Sequence, residues 1–325
     1  MALDNNRYLE YEKIYDSYGK FIETIKSYDD SIYFWIQGGS LRRAIDDSLE
    51  FGWTDDWYWD IDVDIHVLDS DSYFKFVDIL TNKMGFTKSK DYHWNTFFSL
   101  FGVVRVDVAK PAMGNIAYEN NRWPRPLLHM GPTEWPYWAD FTITSPCLDS
   151  NFMFSCHKDF FEDVQNKKLF FVQQDWQYIY KQIEKYDDKI FKEKLKLLFG
   201  LLFIQRRYVY KMKNLDPRYI KYSEEGFQIS KLHYEESKIE LDNLKKDLSK
   251  YLDSFEKGGW SQDSQYYGII NEHLNEKNYP ITDEYESENL LKAMLEIMYS
   301  VQKKDLKKMI LTRNIKEELK INDNI

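Results

Sequence analysis

Asp60, Asp62 and Asp64 alternate along one apolar stretch, Trp59-Asp60-Ile61-Asp62-Val63-Asp64-Ile65-His66. Asp107 stands in a second stretch, Val103-Val104-Arg105-Val106-Asp107-Val108. Residues two apart on a strand point to the same face, so Asp60 and Asp62 form a carboxylate pair that Asp107 can join from a neighbouring strand. Asp64 shares that face and is a further ligand by pattern alone. Carboxylates crowded on one sheet edge repel one another unless a cation sits between them. Hard divalent ions with oxygen ligands, magnesium above all, suit that arrangement. Upstream, Tyr33-Phe-Trp-Ile-Gln37 runs into Gly38-Gly39-Ser40. A glycine turn ahead of a helix offers bare backbone N–H groups to phosphate. A metal cage beside a phosphate grip points to phosphoryl transfer.

Several elements must position these residues. Apolar residues at helical spacing predict a helix over Asn6 to Ser27, broken by Asp29-Asp30-Ser31. Ile32 to Gln37 reads as a buried strand, and Leu41 to Ile45 opens a short helix after the glycines. Trp59 to Leu68 is the second strand, Ser72 to Met84 a helix ended by Gly85, and Phe97 to Ala109 a hairpin. Five of the eight prolines fall between Lys110 and Trp138, which predicts an irregular loop. Beyond Phe171 the pattern turns helical, clearest over Gln174–Tyr186, Lys189–Met212, Tyr234–Phe255 and Glu288–Ile315. The expectation is an α+β fold, a mixed sheet with helices in residues 1–172 followed by an all-helical domain in residues 173–325.

Composition narrows the class. A chain of 325 residues, 43% hydrophobic and 17% aromatic, has the material for two folded cores. No apolar run reaches the length of a membrane span, and the first residues lack the pattern of a signal peptide. Cys147 and Cys156 are too few for a disulfide framework, which predicts reduced thiols and a cytoplasmic setting. With His157 they lack zinc-site spacing, and His66 reads as a packed residue of the Asp60 strand. The net charge of −10 is concentrated early: Ala44 to Phe74 holds ten Asp or Glu and no Lys or Arg. A basic run with interleaved tyrosines, containing Arg206, Arg207, Lys211 and Lys213, is the candidate RNA track.

The order of these motifs resembles the polymerase-β-type nucleotidyltransferase superfamily. More narrowly it is similar to the head domain shared by bacterial poly(A) polymerases and class II CCA-adding tRNA nucleotidyltransferases. Gly38-Gly39-Ser40-Leu41-Arg42 stands where that family has Gly-Gly-x-Val-Arg. Asp60-Ile61-Asp62 matches its metal-binding pair, and Arg105-Val106-Asp107-Val108-Ala109 its third carboxylate strand. Asp140-Phe141-Thr142-Ile143-Thr144 is similar to its Asp-Phe-Thr-Ile-Asn block, and Lys158 to Leu169 resembles the segment that closes the head. Trp138-Ala139 replace two arginines, and Arg43 replaces an acidic residue. The family's base-reading Glu-Asp-x-x-Arg has a faint counterpart in Glu193-Lys194-Leu195-Lys196.

The resemblance implies a palm-like nucleotidyltransferase that adds nucleotides to an RNA 3′ end without a template, of CCA-adding or poly(A)-adding type. ATP and CTP are the implied nucleotides, and tRNA is among the implied acceptors. It implies two magnesium ions on Asp60, Asp62 and Asp107, with the triphosphate bound by Gly38, Gly39, Ser40, Arg42, Arg43 and Asp140. The alternative is transfer of a nucleotide to a small molecule or a protein hydroxyl.

Overall fold

The structure is a computed structural model and describes residues 5–46, 62–91, 95–100, 104–109, 132–133, 135–139, 141–170, 172, 176–200, 279, 286, 289–290, 292–294, 296–298, 300–301 and 309–321. It divides into two compact units. The first comprises Met1–Met113, Leu127–Asn166 and Lys308–Ile325, and the second Gly114–Pro126 and Lys167–Lys307.

The first unit is built on a mixed sheet. Its strands are β1 (Phe34–Gln37), β2 (Asp62–Val67), β3 (Thr87–Asp91), β4 (Asn95–Leu100), β5 (Val104–Ala109), β6 (Cys147–Asp149), β7 (Met153–His157) and β8 (Ile310–Asn314). They lie in the order β3-β4-β5-β2-β1-β6-β7-β8. β2 and β5 run parallel, and the other neighbours are antiparallel.

Alternation along the strands sorts the side chains onto two faces. Phe34, Ile36, Ile65, Phe98 and Val108 are all fully buried on one of them. Helix α1 (Asn5–Tyr28) and helix α3 (Ser70–Asp78) cover this face. Phe21 of α1 meets Phe34 at 6.3 Å between ring centroids, and Phe76 of α3 meets it at 5.0 Å. α1 does so because Tyr11, Ile14, Ile22 and Ile25 recur at helical spacing and bury together. α3 begins where the Asp69 carboxylate accepts the Ser72 N–H at 2.8 Å, an N-cap. It passes through a π turn (Ile79–Lys83) to Gly85, whose φ of +76° closes it. Between β1 and β2 lies the short helix α2 (Gly39–Ile45).

The last strand departs from the sequence expectation. The helix read over Glu288–Ile315 gives way to β8, which pairs antiparallel with β7 from Met153↔Asn314 to His157↔Ile310. Residues 308–325 therefore group with the first unit and not with the helical stretch that precedes them. Pairing to an exposed strand edge outweighs the local helical pattern there. A short helix, Ile315–Leu319, follows and buries Ile315 and Leu319; its Lys316 lies 3.0 Å from Glu23 of α1.

Described parts of the second unit are helical: Trp176–Ile183, residues 189–200, and helical positions between 286 and 301. Ile179, Ile183, Leu195, Leu198, Phe199, Leu290, Met294 and Ile297 are buried. Lys194, itself 2% exposed, pairs with Glu286. Among the described residues no helix is long and apolar enough to cross a membrane.

Candidate active site

The face of the sheet opposite α1 and α3 carries the carboxylates. Asp64 on β2 stands in register with Asp107 on β5 and, on its other side, with Gln37 on β1. Both acids are half-buried. Asp62 begins β2 and is paired with Arg105. Asp60 and Asp140 lie outside the described residues, as does the side chain of Asp62. Among the described residues no group of three His, Cys, Asp or Glu side chains converges to hold a metal ion.

The glycine turn arrives beside this pair. Gly38 has φ +78° and ψ −139°, a conformation essentially reserved for glycine. A β-carbon there would stand 3.8 Å from Asp64 Oδ2, so the turn abuts that carboxylate. The Gly38 N–H donates to the Pro146 carbonyl at 2.9 Å, which fixes the turn to the loop before β6 and commits that donor. The Ser40 hydroxyl, 1% exposed, donates to the Gln37 carbonyl at 3.1 Å. One of the backbone donors expected to face phosphate, the Gly38 N–H, is thus engaged within the protein.

Arg42 is 1% exposed and lies beneath the turn. Its Nη2 would be 3.9 Å from a β-carbon on Gly39. A charge so placed acts on the turn through a medium of low dielectric, where its field is strong. Arg43 is only half-buried. Tyr18 of α1 ties the helix start down, its hydroxyl donating to the Ser40 carbonyl at 2.8 Å. Burial pushes the Tyr18 hydroxyl up to about 12, with Arg43 working against the shift and Asp64 adding to it.

Neighbouring positions on the same face are packed. His66 stacks on Trp35 at 5.5 Å and 12°, and both are buried, as expected for a packed histidine. Asp149 was not singled out from sequence, yet it is 4% exposed. It accepts from the Tyr33 hydroxyl at 2.7 Å and from the Asn151 and Met153 N–H groups at 2.8 and 2.9 Å. It holds the β6–β7 turn, and Asp-Ser-Asn at a strand end was its legible sign. The two later sequence blocks are bonded to each other: Thr142 donates to the buried Asp163 at 2.5 Å. His157 is buried, and desolvation brings its pKa down to about 4 against the opposing pull of Asp159. In the second unit Lys196 of the Glu193-Lys194-Leu195-Lys196 segment is held by Glu184 at 2.7 Å and Glu193 at 3.4 Å. Arg206, Arg207, Lys211 and Lys213 lie outside the described residues.

No protein-family model matches the chain, and no curated protein matches it. Solved structures do resemble it. One is a tRNA-processing enzyme in an apo form, with 13% identity over 95% of this chain and 82% of that one and a TM-score of 0.34. A CCA-adding enzyme in complex with ATP has 13% identity over 90% and 72%, and a TM-score of 0.34. The CCA-adding enzyme of Thermotoga maritima complexed with tRNA has 12% identity over 88% and 68%, and a TM-score of 0.31.

Proposed function

We propose that the chain is a template-independent nucleotidyltransferase whose strand carboxylates are Asp62 and Asp64 of β2 with Asp107 of β5. The observation that carries this reading is the register Asp64↔Asp107 on adjacent parallel strands, with the Gly38 turn against Asp64 Oδ2. Asp60, the other candidate of the strand, precedes the pair by one alternation.

An all-oxygen donor set on one face fits magnesium, and two such ions would bind there. Magnesium bound there would stabilise the charge of the displaced pyrophosphate and ease deprotonation of the acceptor hydroxyl. The protein's own part is to hold the reactants. Gly39 and Ser40 present the first N–H groups of α2, which have no acceptor inside the helix, to a phosphate oxygen. Arg42 reinforces them from beneath, and Arg43 adds positive charge at the turn. The carboxylates would hold the ion beside the turn that binds the phosphate.

For the acceptor we propose an RNA 3′ end, tRNA included, with ATP or CTP as the donor and Arg206, Arg207, Lys211 and Lys213 on the RNA backbone. The motif blocks around the glycine turn, the carboxylates and Asp140 support it. Transfer to a small molecule or protein hydroxyl is the second reading. It is favoured by the acidic stretch Ala44–Phe74 and by Trp138-Ala139 where arginines were expected, Ala139 being 1% exposed. The test is incubation with each α-labelled nucleoside triphosphate, magnesium and total RNA, followed by gel electrophoresis. Label entering RNA supports the first reading, and label on protein or in the small-molecule fraction supports the second. No transfer to any acceptor would remove both.

A further inference from the structure

The carboxylate face also carries a cation that the chemistry above does not employ. Arg105 lies two residues before Asp107 on β5, hence on the same face, and its register partner on β2 is Asp62. Its guanidinium rests over the Phe97 ring, Cζ 4.3 Å from the centroid, and Phe97 is itself paired with Asp107 across β4 and β5. An aromatic face holds a guanidinium by its plane. Arg105 is half-buried, so its position is constrained while one side still meets solvent. Among the described residues of β1, β2 and β5 it is the one arginine or lysine.

A polyphosphate approaching this face meets the negative charge of the aspartates as well as any ion they hold. Charge of the opposite sign is needed at the same place, and a planar fork matches two non-bridging phosphate oxygens. Arg42 and Arg43 place positive charge at the turn, Trp138 and Ala139 stand where the resemblance expects arginines, and Arg105 is a further source of that charge on the carboxylate face itself. We propose that Arg105 is a nucleotide-binding residue of this site, taking non-bridging oxygens of a nucleoside triphosphate while Phe97 holds its guanidinium beside Asp107. The assignment rests on the nucleotidyltransferase reading.

The test measures binding to the full chain by calorimetry in magnesium, with ATP, ADP and AMP as one series and CTP, CDP and CMP as another. For the wild type, affinity rises along at least one series from mono- to triphosphate. Arg105→Ala should lower triphosphate affinity roughly tenfold or more, the loss expected for a charge-assisted hydrogen bond, and leave monophosphate affinity nearly unchanged. Phe97→Leu should show a smaller loss of the same kind, and Arg105→Lys should recover part of it. Manganese affinity, read by electron paramagnetic resonance, should match wild type in all three variants. Equal triphosphate affinity in wild type and Arg105→Ala would overturn the Arg105 assignment and leave the nucleotidyltransferase reading standing. So would an equal loss for mono- and triphosphate, which marks a structural role. A wild type whose affinity is indifferent to phosphate number would overturn both. Should Arg105→Ala not fold, Arg105→Lys and Phe97→Leu carry the same comparison.

Discussion

Replacing Asp64 by asparagine keeps the size of the side chain and removes one charge from a pair that faces Asp107 in register. If Asp64 holds a catalytic ion, several kcal/mol of transition-state stabilisation disappear, roughly a hundred- to thousandfold in rate. Thermal stability should hold or rise, because repulsion between carboxylates is relieved. Asp60→Asn should stay within about tenfold of wild type; the opposite ranking, measured by single-turnover transfer, would return the metal pair to Asp60 and Asp62. The alternation of aspartates was plain in the sequence, but its period of two makes Asp60, Asp62 and Asp64 equivalent. Ranking them takes more than local pattern, because strand register is set by distant partners. His157 gives a second expectation at this scale. Its folded pKa of about 4 lies below the ordinary 6.5, so between these values the unfolded chain binds the extra proton. The stability it contributes is present above pH 6.5 and lost as pH falls toward 4, up to roughly 3 kcal/mol. Urea melts across that window should flatten in His157→Gln.

At the level of elements, the glycine turn and the helix behind it are the sensitive joint. Gly38→Ala forces a β-carbon into φ +78°, a cost of about 1–3 kcal/mol, and displaces backbone next to Asp64. Both a lower Tm and lost transfer are expected, whereas Gly39→Ala should spare Tm, since Gly39 has no positive φ and a β-carbon there meets only Arg42 Nη2 at 3.9 Å. Tyr18→Phe removes the bond to the Ser40 carbonyl and should cost about 0.5–1.5 kcal/mol by denaturant titration. α1, β1, the helix ending at Gly85 and the β4–β5 hairpin were legible because apolar periodicity and a helix-closing glycine are local signs. The engagement of Gly38 by Pro146 and the burial of Arg42 were not, because they depend on β6 pairing with β1 from far along the chain.

For the molecule as a whole, the return of residues 308–325 to the first unit makes the second unit an insertion within the first. Ending the chain after Lys307 would strip β8 from β7 and remove the buried Ile315 and Leu319. Burial of two such side chains is worth about 3–6 kcal/mol, and a bare strand edge invites association. The truncated protein should therefore lose its cooperative melt or precipitate, as circular dichroism and sedimentation would register. The shift in pattern near residue 172 gave the expected boundary, and a strand that returns after the helical stretch leaves only a short run, Ile310-Leu311-Thr312, that helical periodicity absorbs. The same return has a consequence in time. Ser155 of β7 and Thr312 of β8 are 157 positions apart. At ~5–20 residues per second a ribosome needs roughly ten to thirty seconds to make the chain between them. Through that interval the nascent sheet waits with the outer edge of β7 open, so completion of the proposed catalytic unit has to follow synthesis of β8.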